Sequence, residues 1–246
     1  VLMPDPDIRG AGEDVALAKA LRTNPAVLAY TASNQATQVG PHVGTAQLGG
    51  DPQEWLLTYP GILRQQHDAE GVGLINASPE LDGVVRRLPL VVGSGSKLYP
   101  SFSLEMLRVA VGDPSYQIKT GQGVEWIRIP NYNPINTDPN GRIWINSNVS
   151  FYRQSASECM ADPIPAPFVI FGVTAEGVVN PVPTAGGAIY PHEVQANVLH
   201  HLINGTSPVQ PVWAPAAELG AALLLILVLL LTASHVYFSA PIFLTS

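Results

Sequence analysis

His192 and Glu193 are a pair whose side chains can do chemistry, because zinc peptidases carry a neighbouring histidine and glutamate on a helix. That chemistry needs a second histidine four residues after the first, and Ala196 occupies this position. His200 and His201 are adjacent, so a helix would point them about 100° apart and prevent joint chelation. The sequence therefore predicts no metal and no other cofactor.

Two further patterns have the spacing of catalytic or calcium-binding motifs. Ser94-Gly95-Ser96-Lys97 matches the Ser-x-x-Lys of acyl-transferring hydrolases, but a Gly/Ser sequence after an apolar strand predicts a hairpin turn instead. Residues 136–147 begin like a calcium loop, yet Ser147 stands where a bidentate glutamate is needed. We expect a tight turn there too. No assembled nucleophile and base emerges, and we predict that the chain is not an enzyme.

Arg86 and Arg87 are better candidates for binding. They follow the turn pair Asp82-Gly83 at the start of a predicted strand, where successive side chains face opposite sides. One arginine can then pair with Asp82, Glu80 or a carbonyl, while the other is solvated. A guanidinium grips carboxylates in a bidentate manner, so these arginines either pin the turn or hold a ligand. The sequence leaves both interpretations open.

Short strands and helices must position these residues. Their alternation predicts an α/β fold, with a mixed β-sheet flanked by helices. The polar, Gly-rich stretch Gln35 to Gly61 is expected to be a mobile or partner-facing loop. The predicted helices lie at 14–22, 103–112, from 155 onward and at 194–203, and the predicted strands at 27–30, 72–76, 84–92, 124–129, 142–146 and 168–173.

A long apolar run follows this domain. About 20 apolar residues cross a bilayer, and the run from Pro215 to Phe238 has Glu218 as its only charge. A buried core helix is the alternative, but nine unbroken aliphatic residues from Leu223 to Leu231 favour a membrane span. We therefore expect a soluble domain over 1–211, a transmembrane helix over 212–238 and a loop or further span over 239–246.

The charge balance excludes one class of partner. Twelve Lys and Arg against nineteen Asp and Glu give a formal charge of −7. Such an acidic domain offers little attraction to phosphate backbones, so we expect no nucleic acid partner. Membrane lipid is the expected partner of the apolar helix.

Residues Gly71 to Leu90, GVGLINASPELDGVVRRLPL, resemble the signature of the CHASE2 domains, and later blocks from Tyr99 to Gly205 agree in order. These domains are extracytoplasmic sensory modules of bacterial cyclases and histidine kinases. The resemblance implies a bacterial inner membrane location, with the soluble domain in the periplasm or outside the cell. It supplies no catalytic residue. One departure is Gln195, where the family commonly has a histidine before Ala196-Asn197.

The resulting hypothesis is a membrane-anchored, non-catalytic sensor or binding domain that signals to a cytoplasmic effector. Its partner would be an unknown small ligand, a homodimer partner or other membrane-protein subunits. The alternative is a structural accessory subunit whose domain braces a larger membrane complex. The candidate ligand- or partner-binding residues are Asp82, Arg86, Arg87, Gln195 and Asn197.

Overall fold

The computed structural model describes residues 11–34, 43–63, 69–146, 149–162, 165–175, 177–208 and 213–239. The chain divides into two units, residues 1–209 and 210–246. The first unit contains the helices α1 Ala11–Thr23, α2 Phe102–Val111, α3 Ala156–Ala161 and α4 Pro191–Asn204. The second contains the helix α5 Ala214–Ser239.

The strands of the first unit are short. They are β1 Val27–Ser33, β2 Gly44–Leu48, β3 Gly61–Leu63, β4 Gly71–Leu74, β5 Arg87–Pro89, β6 Val91–Ser94, β7 Lys97–Pro100, β8 Ser115–Gly121, β9 Gly123–Arg128, β10 Ile135–Asn136, β11 Arg142–Trp144, β12 Val182–Thr184 and β13 Gly187–Ile189.

These strands form mixed sheets, as the sequence predicts. One sheet has the order β3-β1-β4, with β1 parallel to β4 and antiparallel to β3. A second has the order β10-β9-β8-β2, in which β2 runs parallel to β8. The pairs β11-β5, β12-β13 and β6-β7 are antiparallel ribbons. The α/β prediction is therefore confirmed, and the Ser94–Lys97 turn closes the β6-β7 hairpin as expected.

Helix α2 packs closely on the parallel pair β1-β4. It begins where the Ser101 hydroxyl accepts a hydrogen bond from Leu104 N, and it ends at Gly112, whose φ is 73°. Two glycines in β4 permit the close approach: a Cβ on Gly73 would lie 2.3 Å from Phe102 Cα, and one on Gly71 would lie 2.7 Å from Glu105 Oε1. The Gly-x-Gly of the signature is thus explained by packing between helix and sheet.

The main apolar core lies among α2, α4 and the strands β5 to β11. A smaller cluster gathers on the β1-β4 side. The most deeply buried side chains of the main core are Leu88, Leu90, Leu104, Ile118, Ile127, Ile129 and Val198.

Two predictions of local structure are wrong. The stretch Gln35 to Gly61 is not simply a loop: β2 pairs with β8, and Val43 and Leu56 are buried in the main core. Its residues 35–42 lie outside the described chain. The predicted strand at 168–173 has no helix or strand assignment. Phe168 and Ile170 still pack against the core, so alternate side chains of this segment point inwards, as in a strand. Among the described residues, however, the segment pairs with no other strand.

The second unit is a single helix in its described part. Residues 214–233 are long and apolar enough to cross a membrane, and none of that window is buried. The aliphatic side chains from Leu223 to Leu231 are 46% to 65% exposed. Exposure of this much contiguous apolar surface to water is unfavourable, so α5 is a candidate membrane span.

Candidate functional site

The arginine pair lies in an ion-pair cluster built on the turn at 80–83. Gly83 adopts a φ of 81°, and Val84 N donates to Asp82 Oδ1 at 3.1 Å, which fixes the turn. Arg86 donates to both carboxylate oxygens of Asp82, at 3.0 and 2.7 Å. It also reaches Glu80 Oε2 at 3.1 Å. The turn and the arginine therefore hold each other in place.

Arg87 extends the cluster to the neighbouring strand β11. Its Nε donates to Glu80 Oε1 at 2.9 Å, and its Nη1 lies 3.4 Å from Asp138 Oδ2. Arg142 of β11 reaches the same Asp138 oxygen at 2.8 Å. The Arg87 guanidinium also lies over the Trp144 ring, 5.0 Å from its centroid. Strands β5 and β11 are thus joined through side chains as well as through backbone pairing.

The expectation that one arginine would be solvated is wrong. Arg86 precedes β5 instead of lying within it, so the two side chains do not alternate across a strand. Both reach Glu80, one at each carboxylate oxygen. Most of their donors are already occupied, so a ligand that binds in a bidentate manner would compete with the protein carboxylates.

The titration of the acids follows from these contacts. The hydrogen bond from Arg86 lowers the pKa of Asp82 to about 2, and that from Arg87 lowers the pKa of Glu80. The hydrogen bond to Asp82 raises the pKa of Arg86. Glu80, Asp82 and Arg86 are therefore ionised at neutral pH, and the side chains of the cluster remain between 13% and 51% exposed.

Gln195 lies in the interior, on α4. Its Oε1 accepts from the Ser103 hydroxyl at 2.7 Å, and its Nε2 is 3.5 Å from the Ile75 carbonyl oxygen. Ser103 belongs to α2, and Ile75 directly follows β4. Because Gln195 is only 2% exposed, it connects three elements from within.

Asn197 is also buried, at 1% exposure. Its Nδ2 donates to the Glu193 carbonyl oxygen at 2.8 Å, whereas its Oδ1 has no hydrogen-bond partner in the described chain. Within the described residues, no hydrogen bond or ion pair joins Gln195 or Asn197 to the arginine cluster. The predicted binding residues therefore fall into two separate places, an exposed cluster and a buried face of α4.

A long irregular segment contacts α4 and was not recognised from the sequence. We call residues 149–175 the strap; its described residues are 149–162 and 165–175, and none of them is buried. It contains α3, which begins at the predicted position with a capping box formed by Ser155 and Glu158. Apart from α3, the described residues of the strap have no helix or strand assignment.

Three side chains of α4 meet the strap or the residues just before it. Arg153 of the strap forms an ion pair with Glu193, which is 6% exposed. The strap backbone at Gly172 lies against the His192 ring, where a Cβ would come within 2.2 Å of it. Near the start of the strap, Asn146 N donates to His201 Nε2 at 3.2 Å. The sequence predicts this helix only from residue 194, so it does not place His192 and Glu193 on the same helix as His201.

Burial lowers the pKa of both His192 and His201. His201 Nδ1 lies 2.9 Å from the Thr206 hydroxyl oxygen, and its Nε2 lies 3.2 Å from both the backbone N and the carbonyl oxygen of Asn146. Both rings are therefore neutral at pH 7. In the part of the chain that the structure describes, no three His, Cys, Asp or Glu side chains are grouped to hold a metal ion.

A family model described as the CHASE2 domain matches residues 1–234. The chain belongs to the CHASE2 domain family. Searches of curated proteins and of solved structures found no match. This match confirms the resemblance predicted from Gly71 to Leu90, and the matched region reaches into α5. CHASE2 domains are extracytoplasmic sensory domains.

Proposed function

We propose that this CHASE2 domain is a non-catalytic sensor or binding domain that signals to a cytoplasmic effector. Helix α5 would anchor it in the bacterial inner membrane, with the first unit in the periplasm or outside the cell. The family match over residues 1–234 carries the proposal, and the apolar window at 214–233 supports the anchor. Signalling requires a stimulus that favours one of two conformations over the other.

The candidate binding residues suit two different roles. Asp82, Arg86 and Arg87 are accessible, and a partner that offers a carboxylate can exchange with their internal acids. Gln195 and Asn197 are buried and would contact a ligand only after covering residues move. We propose the exposed cluster as the first contact surface. The formal charge of −7 again disfavours nucleic acid.

Labelling of the sole cysteine tests the location. Cys159 lies in α3 and is half-buried. In intact cells, a membrane-impermeant maleimide should label it, and permeabilisation should add little further labelling. The Cys159→Ser variant is the matched control for background. Labelling that requires permeabilisation of the inner membrane would place the domain on the cytoplasmic side and overturn the proposed location.

A chimera tests signalling. The full chain is joined after Ser246 to an adenylyl cyclase catalytic domain, with a second chimera that lacks residues 11–208 as the control. We expect cyclase output to depend on the composition of the external medium only when residues 11–208 are present. Equal output from the two chimeras under every medium would refute a sensory role.

The accessory-subunit alternative has one observation in its favour. Five large apolar side chains in and just after the strap are 47% to 80% exposed: Tyr152, Met160, Val169, Phe171 and Val178. Exposed apolar side chains of this size can contribute to a protein-binding surface. Mild detergent extraction should recover a stoichiometric partner subunit if the domain braces a complex. Recovery of the chain alone or as a homodimer would favour the sensor.

A further inference from the structure

Strand β2 forms one edge of the sheet β10-β9-β8-β2 and is exposed along its length. In the part of the chain that the structure describes, it pairs with β8 alone. Gly44, Ala46, Gln47 and Leu48 are exposed, and Thr45 is half-buried. Among the described residues, the backbone N–H and C=O groups that point away from β8 have no partner. Such an edge can pair with another strand.

The sequence of β2 lacks the features that prevent pairing at an exposed edge. Charged side chains, prolines, bulges and very short strands discourage such pairing. Gly44–Leu48 contains no charged residue and no proline, and its register with β8 is regular. With five residues it is the longest edge strand of the described chain. The opposite edge strand, β10, has only two residues and lies between Pro134 and Pro139.

Both ends of β2 are held in place by the first unit. Val43, just before the strand, is buried in the main core. Just after it, the Gly50 carbonyl oxygen accepts a hydrogen bond from the Thr120 hydroxyl at 2.8 Å. Gly49, with a φ of 111°, lies so close to the Thr120 backbone that a Cβ would come within 2.2 Å of it. A strand that is already fixed in this way loses little conformational freedom when it pairs, which favours association.

The register with β8 shows which way the side chains of β2 point. Residues opposite each other in neighbouring strands share a face of the sheet. Thr45 lies opposite Tyr116, and Gln47 lies opposite Ile118. Both partners are buried, so Thr45 and Gln47 point to the core side. The alternate residues of the strand point to the opposite face: Gly44, Ala46 and Leu48.

This pattern fits an antiparallel copy of the same strand. If a twofold axis passes through Ala46, Gly44 of each copy faces Leu48 of the other. Leu48 is 45% exposed, and the absence of a side chain on the facing glycine leaves room to cover it. Thr45 likewise faces Gln47, so a smaller residue meets a larger one on both faces of the pair.

Charge also favours pairing at this edge over other contacts between copies. The formal charge of −7 makes two copies repel each other, but charges more than about 8 Å apart are largely screened at physiological salt. Repulsion is therefore decided by the charges at the contact itself. Gly44–Leu48 carries none.

We propose that β2 is the dimerisation strand of this domain. It pairs antiparallel with β2 of a second copy, about a twofold axis at Ala46, and joins the two four-stranded sheets into one continuous sheet. This inference rests on the proposed sensory function and its membrane anchor, and it names a second copy of the chain as the partner.

The pairing depends on the membrane because the contact is short. Five residues at about 3.4 Å each give a strand about 17 Å long. A stable complex buries about 800 Å² on each partner, which one strand of this length does not supply. Confinement of two anchored copies in one membrane raises their effective concentration. We therefore expect dimers in the membrane and dissociation on dilution in detergent.

Cysteine cross-linking at the axis tests the pairing. In the full chain, Cys159→Ser removes the sole cysteine, and Ala46→Cys then places one thiol on β2. Facing Cα atoms of antiparallel strands lie about 4.5–5.5 Å apart, within the range of roughly 4.4–6.8 Å that a disulfide spans. After oxidation of isolated membranes with copper phenanthroline, non-reducing electrophoresis should show a disulfide-linked dimer of the chain. A cross-link to a protein of another mass, or no cross-link, would overturn the proposal.

Neighbouring positions test the register. The two Gln47 residues of the dimer are diagonal neighbours about 7–8 Å apart, too far for an unstrained disulfide. Gln47→Cys should therefore cross-link several-fold less than Ala46→Cys. Gly44→Cys and Leu48→Cys should each cross-link poorly alone but should form a mixed dimer when produced together with different tags. Equal yields at positions 46 and 47 would indicate random collision and refute the register.

A charge exchange at the facing positions provides a matched pair of variants in the Ala46→Cys chain. Gly44→Glu with Leu48→Glu places like charges opposite each other, whereas Gly44→Lys with Leu48→Glu places opposite charges there. Both positions are exposed, and a Cβ on Gly44 meets nothing within 4 Å, so the fold accepts these changes. The first variant should cross-link several-fold more slowly than the second. Equal rates would contradict the facing of residues 44 and 48.

The strand pairing and the sensory function fail in different ways. A cross-link at Ala46→Cys, together with equal output from the two cyclase chimeras, supports the pairing and contradicts the sensory function. A medium-dependent chimera output without the cross-link contradicts the pairing and leaves the sensory function in place.

Discussion

Removal of the charge of Glu105 provides a quantitative test of how the fold is held together. Glu105 lies on α2 with 0% exposure. Its carboxylate accepts from Arg108 Nε at 2.9 Å and Nη2 at 2.8 Å, from Val72 N at 3.3 Å, and from the Tyr116 hydroxyl. Arg108, at 6% exposure, also donates to the Asp113 carbonyl oxygen at 2.5 Å. One buried carboxylate thus joins α2, β4 and β8.

The expected cost of Glu105→Gln is large, because the substitution leaves Arg108 buried without its counter-ion. Breaking one side of a buried pair costs about 3–5 kcal/mol. At roughly 2–4 °C per kcal/mol for a domain of this size, the melting temperature should fall by about 6–20 °C. Burial alone would lower the pKa of Arg108, but the hydrogen bond and charge of Glu105 raise it overall. An arginine remains charged even after that partner is lost, so deprotonation offers no relief.

Thermal unfolding of the full chain in detergent, followed by tryptophan fluorescence, measures this cost. Glu125→Gln is the matched control, because its ion pair with Lys119 is nearly half exposed and worth at most about 1 kcal/mol. The double variant Glu105→Gln/Arg108→Met should lose less than the sum of its single variants, with a coupling of about 1–3 kcal/mol. If Glu105→Gln were no more costly than Glu125→Gln, the buried pair would not stabilise the fold.

Three further substitutions test other parts of the structure. Gly73→Ala should cost about 1–3 kcal/mol in thermal unfolding, because its Cβ would meet the Phe102 backbone at 2.3 Å. Arg86→Ala should raise the pKa of Asp82 from about 2 towards 3.8, as measured by NMR titration. In the unsubstituted chain, the lowered pKa of Asp82 stabilises the fold above pH 3.8, and this contribution is lost as the pH falls towards 2. The variant should lack this contribution. Leu227→Arg should prevent membrane integration in a fractionation assay, since a charge at midspan costs about 2.5–3.5 kcal/mol.

Each of these substitutions has a control in the same chain. Gly44→Ala should be nearly neutral, because a Cβ there meets nothing within 4 Å, and an equal loss from both glycine variants would refute the packing argument. Arg142→Ala should leave the pKa of Asp82 unchanged. The Leu227→Ala variant should still integrate into the membrane. If the Leu227→Arg variant were recovered in the membrane fraction at the same level, α5 would not be a membrane span.

The helices were the most predictable part of the fold. Ser101, Gly112 and Gly205 mark helix ends by chemistry that is local to the sequence, and the structure uses all three as caps. The Ser155–Glu158 capping box is equally local. These signals need no tertiary information. The capping side chains accept hydrogen bonds from backbone N–H groups of the first turn, and the glycines adopt the positive φ at which a helix ends.

The strands were less predictable, since their partners decide them. Strand β2 is mostly exposed and polar, so it has no apolar alternation, and its pairing with β8 supplies the missing stabilisation. The segment 168–173 shows the opposite case. Its apolar sequence predicts a strand, but backbone pairing is a property of the neighbours and cannot be read from the segment itself.

The arginine cluster was only half predictable. The turn pair Asp82-Gly83 and the two guanidinium groups identify it as a place of ion pairing. The sequence does not show that Glu80 accepts from both arginines, or that Asp138, more than fifty residues later, completes the cluster. The antiparallel pairing of β5 with β11 brings Asp138 into reach.

The buried face of α4 leads to a stronger conclusion about function. Glu193, Asn197 and His201 recur every four residues, which places them on one face of the helix, and all three are at most 6% exposed. Apolar residues would stabilise such a face without the desolvation that a carboxylate, an amide and an imidazole require. Glu193 pairs with Arg153, His201 contacts the Asn146 backbone, and Asn197 has a buried oxygen without a partner in the described chain. Stability alone does not explain this arrangement, and the buried face of α4 is therefore a candidate for a functional role.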